Sequence, residues 1–121
     1  MSRRSPHRLL ADVLERIERI ERHIAGMERD TFLSDEKTTD AVVRSLEVIG
    51  EAANRLPPDF REQHAEIPWG RIVGLRNRVI HAYFEVDLEL VWEIVGGELR
   101  DLKSQVTSLL KDEADESSGT T

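Results

Sequence analysis

There is no cysteine anywhere in this 121-residue sequence. Disulfides, thiolate metal sites and thiol nucleophiles are therefore excluded, and a reducing cytoplasm is the compartment that fits. Aromatics are scarce, at 5%, and alternating β-branched runs are missing, so no strand is expected. No apolar run approaches the roughly 20 residues of a membrane span. The opening MSRRSPHRLL is basic but lacks an apolar signal core, so neither a secretory leader nor a membrane partner is expected. Positive charge is also short: 17 Lys and Arg face 24 Asp and Glu, a net charge of -7. That balance argues against a general nucleic-acid binder.

The shortage of positive charge reverses locally. Between Glu66 and Glu85 there is no acid, and Arg71, Arg76 and Arg78 lie inside. The first eleven residues are likewise acid-free and carry Arg3, Arg4 and Arg8. An acidic chain with two basic segments can hold an anion there and repel it elsewhere.

What is plentiful is helical patterning. Ser5-Pro6 reads as an N-cap with proline at the first helical position. Behind it Leu10, Val13, Ile17, Ile20, Ile24 and Met27 recur at spacings of three and four. Arg29-Asp30-Thr31 breaks that stripe. Ser34-Asp35 caps a second helix with the stripe Thr39, Val42, Leu46, Ile49, Ala53 and Leu56, stopped by Pro57-Pro58. Pro68 opens a third helix, with Trp69, Ile72, Leu75 and Val79 buried, and Gly70 and Gly74 placed for close approach of a neighbouring helix or chain. Asp87 caps a fourth, lined by Leu88, Val91, Val95, Leu99, Leu102 and Val106, with Gly96-Gly97 in its middle.

Four amphipathic stripes on short links predict an all-α fold, an up-down four-helix bundle, with a short extra helix near 58–64 between the second and third long helices. One domain is expected over residues 1–111, followed by a disordered acidic and polar tail over 112–121. The stripes are wide for one small core, which points to apolar surface shared with a second copy.

The third helix carries the chemistry, in the segment RNRVIHAYF from Arg76 to Phe84. At 100° per residue, Arg76 and Tyr83 lie about 20° apart and share a face. Asn77 and His81, four apart, share another. Arg76 and His81 lie about 140° apart, so they converge only if the helix ends or bulges near His81, or if two copies meet across a two-fold axis. Arginine is a permanent cationic fork for phosphate oxygens. Histidine exchanges a proton near neutral pH. Together they suit RNA cleavage without a metal: His81 handles the protons and Arg76 stabilises charge on the phosphorane. Asn77 is placed to orient the imidazole and Arg78 to contact RNA. The segment offers no carboxylates to hold a metal, and no cofactor is called for.

The pattern R-N-x-x-x-H-x-Y, here Arg76, Asn77, His81 and Tyr83, follows Pro68, Trp69 and Ile72 and precedes a capped amphipathic helix. With SLEVIGEAANRLP in the second helix, it resembles the HepT family within the HEPN superfamily over nearly the whole chain. The resemblance implies a HEPN-like bundle and a homodimer formed through the motif helices. It also implies a metal-independent ribonuclease toxin of a type VII-like toxin–antitoxin pair, acting on tRNA or mRNA. The implied partner is a minimal nucleotidyltransferase antitoxin (MntA-like) that transfers AMP from ATP to Tyr83. The competing expectation is a non-catalytic module that binds a nucleotide, RNA or its partner protein in the same groove. Glu51, on the second helix, is a candidate partner for a motif arginine.

Overall fold

A computed structural model describes residues 5–119, with side chains through Asp112. Among these the chain is entirely helical, with no strand: α1 (Pro6–Ile24), α2 (Arg29–Ser34), α3 (Glu36–Arg55), α4 (Pro58–Gln63), α5 (Trp69–Val73), α6 (Leu75–Phe84), α7 (Leu88–Gly96) and α8 (Glu98–Gly119). The caps form as the sequence predicts. The Ser5 side chain accepts from the Arg8 N–H, Asp35 from Thr38 and Asp87 from Leu90. Each satisfies an N–H that the first helical turn leaves without a partner.

The apolar stripes also fall where their spacing puts them. Leu10, Val13, Ile17 and Ile20 are buried, as are all six stripe residues of α3 and all four of α5–α6. From α7 and α8, Val91, Val95, Leu99, Leu102 and Val106 join the same core, while Leu88 stays partly buried at its edge. The long α3 is the centre of the packing, against α1 on one side and α5 and α6 on the other, with α8 closing over α1. Trp69 is buried and its indole N–H donates to the His64 carbonyl at 3.0 Å.

The pattern of four long helices is subdivided in two places and gains one short helix. Gly74 separates α5 from α6, and Gly97, at φ -117 and ψ -84, separates α7 from α8. Both junctions are kinks: the Gly74 N–H still bonds the Gly70 carbonyl and the Gly97 N–H the Glu93 carbonyl, while each glycine's own carbonyl accepts the first bond of the next helix, from Arg78 and Asp101. Residues 29–31, read as a break, begin the short α2, which buries Phe32 against Trp92 with ring centroids 5.0 Å apart. The short helix expected near 58–64 is α4.

Gly70 meets no neighbouring helix within the chain. The close approach falls on α3 instead, where a Cβ on Gly50 would lie 3.3 Å from both the Ile72 carbonyl oxygen and the Arg76 backbone nitrogen. The backbone of α8 runs helically to Gly119, into the stretch 112–121. Lys, Glu and Ala, all strong helix formers, follow Leu109, the last buried residue among the described side chains. Residues 120 and 121 lie outside the described residues.

Candidate functional site

The motif helix α6 is anchored by its own stripe. Leu75, Val79 and Ala82, spaced four and three apart, are buried. That leaves Arg76, Asn77, His81 and Tyr83 on exposed positions, with Arg78 half-buried between the two surfaces. Gly50 fixes how closely the helix sits on α3, because its missing side chain is what lets the Arg76 backbone come so near.

Each motif side chain has a different environment. Arg76 reaches back to α3, with Nη1 3.2 Å from Glu51 Oε1. Arg76 also lines a groove of about 520 Å³ between α1 and α3, where Arg16, Arg44 and Arg55 stand among Asp12, Glu15, Glu47 and Glu51. His81 turns the other way, toward the end of its own helix, with Nε2 3.3 Å from Glu85 Oε1. Asn77 is exposed. The imidazole's observed neighbour is thus Glu85, one turn after it, where the sequence suggested Asn77, one turn before.

Arg78 is committed elsewhere. Its Nη1 and Nη2 donate to Glu98 Oε1 and Oε2 at 2.9 and 2.7 Å. Arg71 donates to the same carboxylate at 2.8 and 3.2 Å. Glu98, the first residue of α8, therefore ties that helix to α5 and α6 at once. The Arg78 hydrogen bonds hold its carboxyl down at about 2, helped by Arg71 and opposed by partial burial. The same bonds hold the Arg78 guanidinium above its usual range.

Tyr83 closes the helix. Its hydroxyl donates to Asp40 Oδ1 on α3 at 2.6 Å, and that bond, with the carboxylate's charge, raises the phenol above its ordinary pKa. Beyond it the chain turns through a Schellman arrangement: Asp87 N–H bonds the Ala82 carbonyl and Val86 N–H the Tyr83 carbonyl. The left-handed position, where glycine is usual, is held by Val86 at φ 59. Phe84 and Val86 are 81% and 77% exposed, an apolar tip directly beside the motif.

A single chain does not bring Arg76 and His81 together. Helix α6 is regular from Leu75 to Phe84 and ends three residues past His81, so neither a bulge nor an early terminus closes the 140° gap. Among the described residues, no three His, Asp or Glu side chains cluster to hold a metal ion, and no helix is long and apolar enough to cross a membrane. Sequence reading did not find Asp40, Glu85 or Glu98. Glu85 had a signal, its spacing of four from His81. Asp40 and Glu98 meet their partners across 43 and 20 residues, which no local pattern reveals.

The sequence profile of the family described as "Ribonuclease HepT-like" matches residues 13–109. A "Probable ribonuclease HepT" of Thermococcus cleftensis is 41% identical over 109 residues, covering 90% of this chain and 99% of that protein. A protein of Caldanaerobacter subterraneus subsp. tengcongensis with a provisional RNase designation is 38% identical over 110 residues, covering 91% and 98%. In Methanocaldococcus jannaschii, a protein named for gamma-glutamylcyclotransferase together with a provisional RNase is 38% identical over 103 residues, 85% of this chain but 46% of that protein. No solved structure matches.

Proposed function

The chain belongs to the HepT-like ribonuclease family, and from that premise we propose that it is a metal-independent endoribonuclease toxin. Its site is composite, built across a two-fold axis from Arg76 of one copy and His81 of the other. The observation that carries this reading is the disposition of α6. Both side chains are exposed on a regular helix, on faces that no single chain brings together, and an exposed apolar tip at Phe84 and Val86 adjoins them. A second copy is what supplies convergence, and burying the tip would favour it.

In such a site His81 takes the proton of a ribose 2′-hydroxyl as that oxygen attacks the neighbouring phosphorus. The bond to the 5′-oxygen breaks with its electron pair on that oxygen, which takes a proton from the imidazolium or from water, leaving a 2′,3′-cyclic phosphate and a 5′-hydroxyl. Arg76 stabilises the charge that builds on the non-bridging oxygens. The RNA, tRNA or mRNA, enters where acids are absent from the motif segment. Tyr83, the chain's single tyrosine, is the off-switch. A nucleotidyltransferase antitoxin adds AMP to its hydroxyl, placing bulk and negative charge beside the site.

The test is RNA cleavage in the presence of a chelator. Wild type should cut, and Arg76→Ala and His81→Ala should each lose about a hundredfold or more while circular dichroism shows the helices intact. Cleavage at the wild-type rate by His81→Ala would remove the histidine from the mechanism. A non-catalytic binding module is the second reading, favoured by the net charge of -7 and by the carboxylates facing both Arg76 and Arg78. It expects uncut RNA with binding preserved.

A further inference from the structure

We propose that Asp40 is the general base for the modification of Tyr83, so that the acceptor protein itself supplies the group that removes the tyrosine proton. The inference rests on the reading of Tyr83 as the AMP acceptor.

A phenol is a poor nucleophile until its proton leaves. With an ordinary pKa near 10, only about one tyrosine in a thousand is ionised at pH 7, and here the hydroxyl is pushed higher still. A transferase acting on this residue therefore needs a base within hydrogen-bond reach of the hydroxyl. Asp40 Oδ1 already accepts that proton at 2.6 Å. Both residues are exposed, Tyr83 at 37%, so an incoming triphosphate reaches the oxygen without the contact first being broken. A shallow pocket of about 380 Å³ opens beside the pair, lined by Asp40, Val43, Arg44, Glu47, Tyr83 and Phe84. Arg44 has its side chain 72% exposed and only a loose contact, 3.9 Å, with Glu47. It offers a cation for the phosphate approaching Tyr83, where Asp40, Glu36 and Glu47 would otherwise repel it.

The step balances as follows. Tyr83 Oη attacks the α-phosphorus of a nucleoside triphosphate, and the Oη–P bond forms as the proton passes to Asp40. The bond from that phosphorus to the oxygen bridging the β-phosphate breaks, and pyrophosphate leaves with the electron pair. Asp40 then returns the proton to water. In the product the tyrosine oxygen has no proton to donate, so the contact between α3 and the end of α6 is lost.

Asparagine in place of Asp40 separates chemistry from placement. Its Oδ1 still accepts from the hydroxyl and holds the ring, but it cannot take the proton. The experiment follows AMP incorporation by intact-protein mass spectrometry, with ATP and the partner nucleotidyltransferase, for wild type, Asp40→Asn, Asp40→Ala, Asp40→Glu and Tyr83→Phe between pH 6 and 9. Asp40→Asn and Asp40→Ala should both be slower by about a hundredfold or more at pH 7, with Asp40→Glu recovering part of the loss. The Asp40→Asn rate should climb about tenfold per pH unit, because tyrosinate must now form unaided. Modification of Asp40→Asn at the wild-type rate overturns the proposal, and so does a slow rate that stays flat with pH. If wild type gains no AMP, or Tyr83→Phe gains it equally, Tyr83 is not the acceptor and the underlying reading fails first.

Discussion

Replacing Glu98 with glutamine should loosen the fold at neutral pH and leave it nearly unchanged at pH 2. In the native chain, Arg71 and Arg78 hold the Glu98 carboxyl at about 2, against an ordinary 4.5. At 1.36 kcal/mol per pH unit, that drop corresponds to about 3 kcal/mol of preference for the charged, paired form. The carboxylate is one-third exposed, so solvent screening reduces its worth to about 1–2 kcal/mol. The sign follows from the depressed value. The stabilisation is fully present above the unfolded pKa and disappears as pH falls from about 4.5 toward 2. For a chain of this size, 1–2 kcal/mol is a fall of roughly 4–8 °C in melting temperature. The assay is thermal unfolding by circular dichroism, wild type against Glu98→Gln, at pH 7, 4 and 2. The gap should be largest at pH 7, keep most of its size at pH 4, and shrink to a small fraction at pH 2, where the native carboxyl is about half protonated. A gap undiminished at pH 2 would mean that glutamine disturbs packing rather than charge. Melting temperatures that match at pH 7 would mean that the two arginines gain nothing from Glu98.

The remaining predictions test the placement of the motif helix and the composition of the site. Arg78→Ala should cost stability, by about 1 kcal/mol, more than it costs RNA cleavage, because its guanidinium is spent on Glu98; denaturant midpoints beside cleavage rates decide between the two. Gly50→Ala should be net destabilising by up to about 2 kcal/mol, since two backbone atoms at 3.3 Å cannot both give way, and cleavage should fall further than stability as α6 is pushed off α3. Val86→Gly should raise the denaturation midpoint, by up to about 1 kcal/mol, through relief of the left-handed strain; a lower midpoint would assign Val86 a packing role instead. Finally, inactive Arg76→Ala and His81→Ala chains, unfolded and refolded together in equal amounts, should regain roughly a quarter of wild-type cleavage. Half the dimers would then be mixed, each with one intact site of two. No recovery would place Arg76 and His81 of each site on the same chain.

Periodicity exposed the core because burial is what periodicity records. Leu46 and Ile49 on α3, or Ile72 and Val79 across α5 and α6, lie on their stripes whichever way the helices cross. The kinks were hidden for the same reason. The spacing Trp69, Ile72, Leu75, Val79 runs straight through Gly74, so the stripe continues although the helix divides. Segment 29–34 was missed because one buried residue, Phe32, makes no stripe. The site was legible as a set of residue types but not as a set of partners. Nothing near Tyr83 in the chain points to Asp40, and nothing near Arg78 points to Glu98, since each contact arises only when two helices dock.

Those partners also separate two arginines that composition treats alike. Arg78 and Glu98 share two short hydrogen bonds at a half-buried position. Paired in that way, the guanidinium offers RNA no open fork, and detaching it would leave a partly desolvated carboxylate behind. Arg76 and Glu51 share one contact at 3.2 Å with both side chains about half exposed. Such a pair is worth well under 1 kcal/mol. A phosphate, able to take two parallel bonds from the same guanidinium, competes with it readily. The acid-free motif thus has one arginine committed to structure and one only loosely held. The available one lies beside a groove where three more arginines face Asp12, Glu15, Glu47 and Glu51, so a chain with a net charge of -7 carries no acid excess at that place.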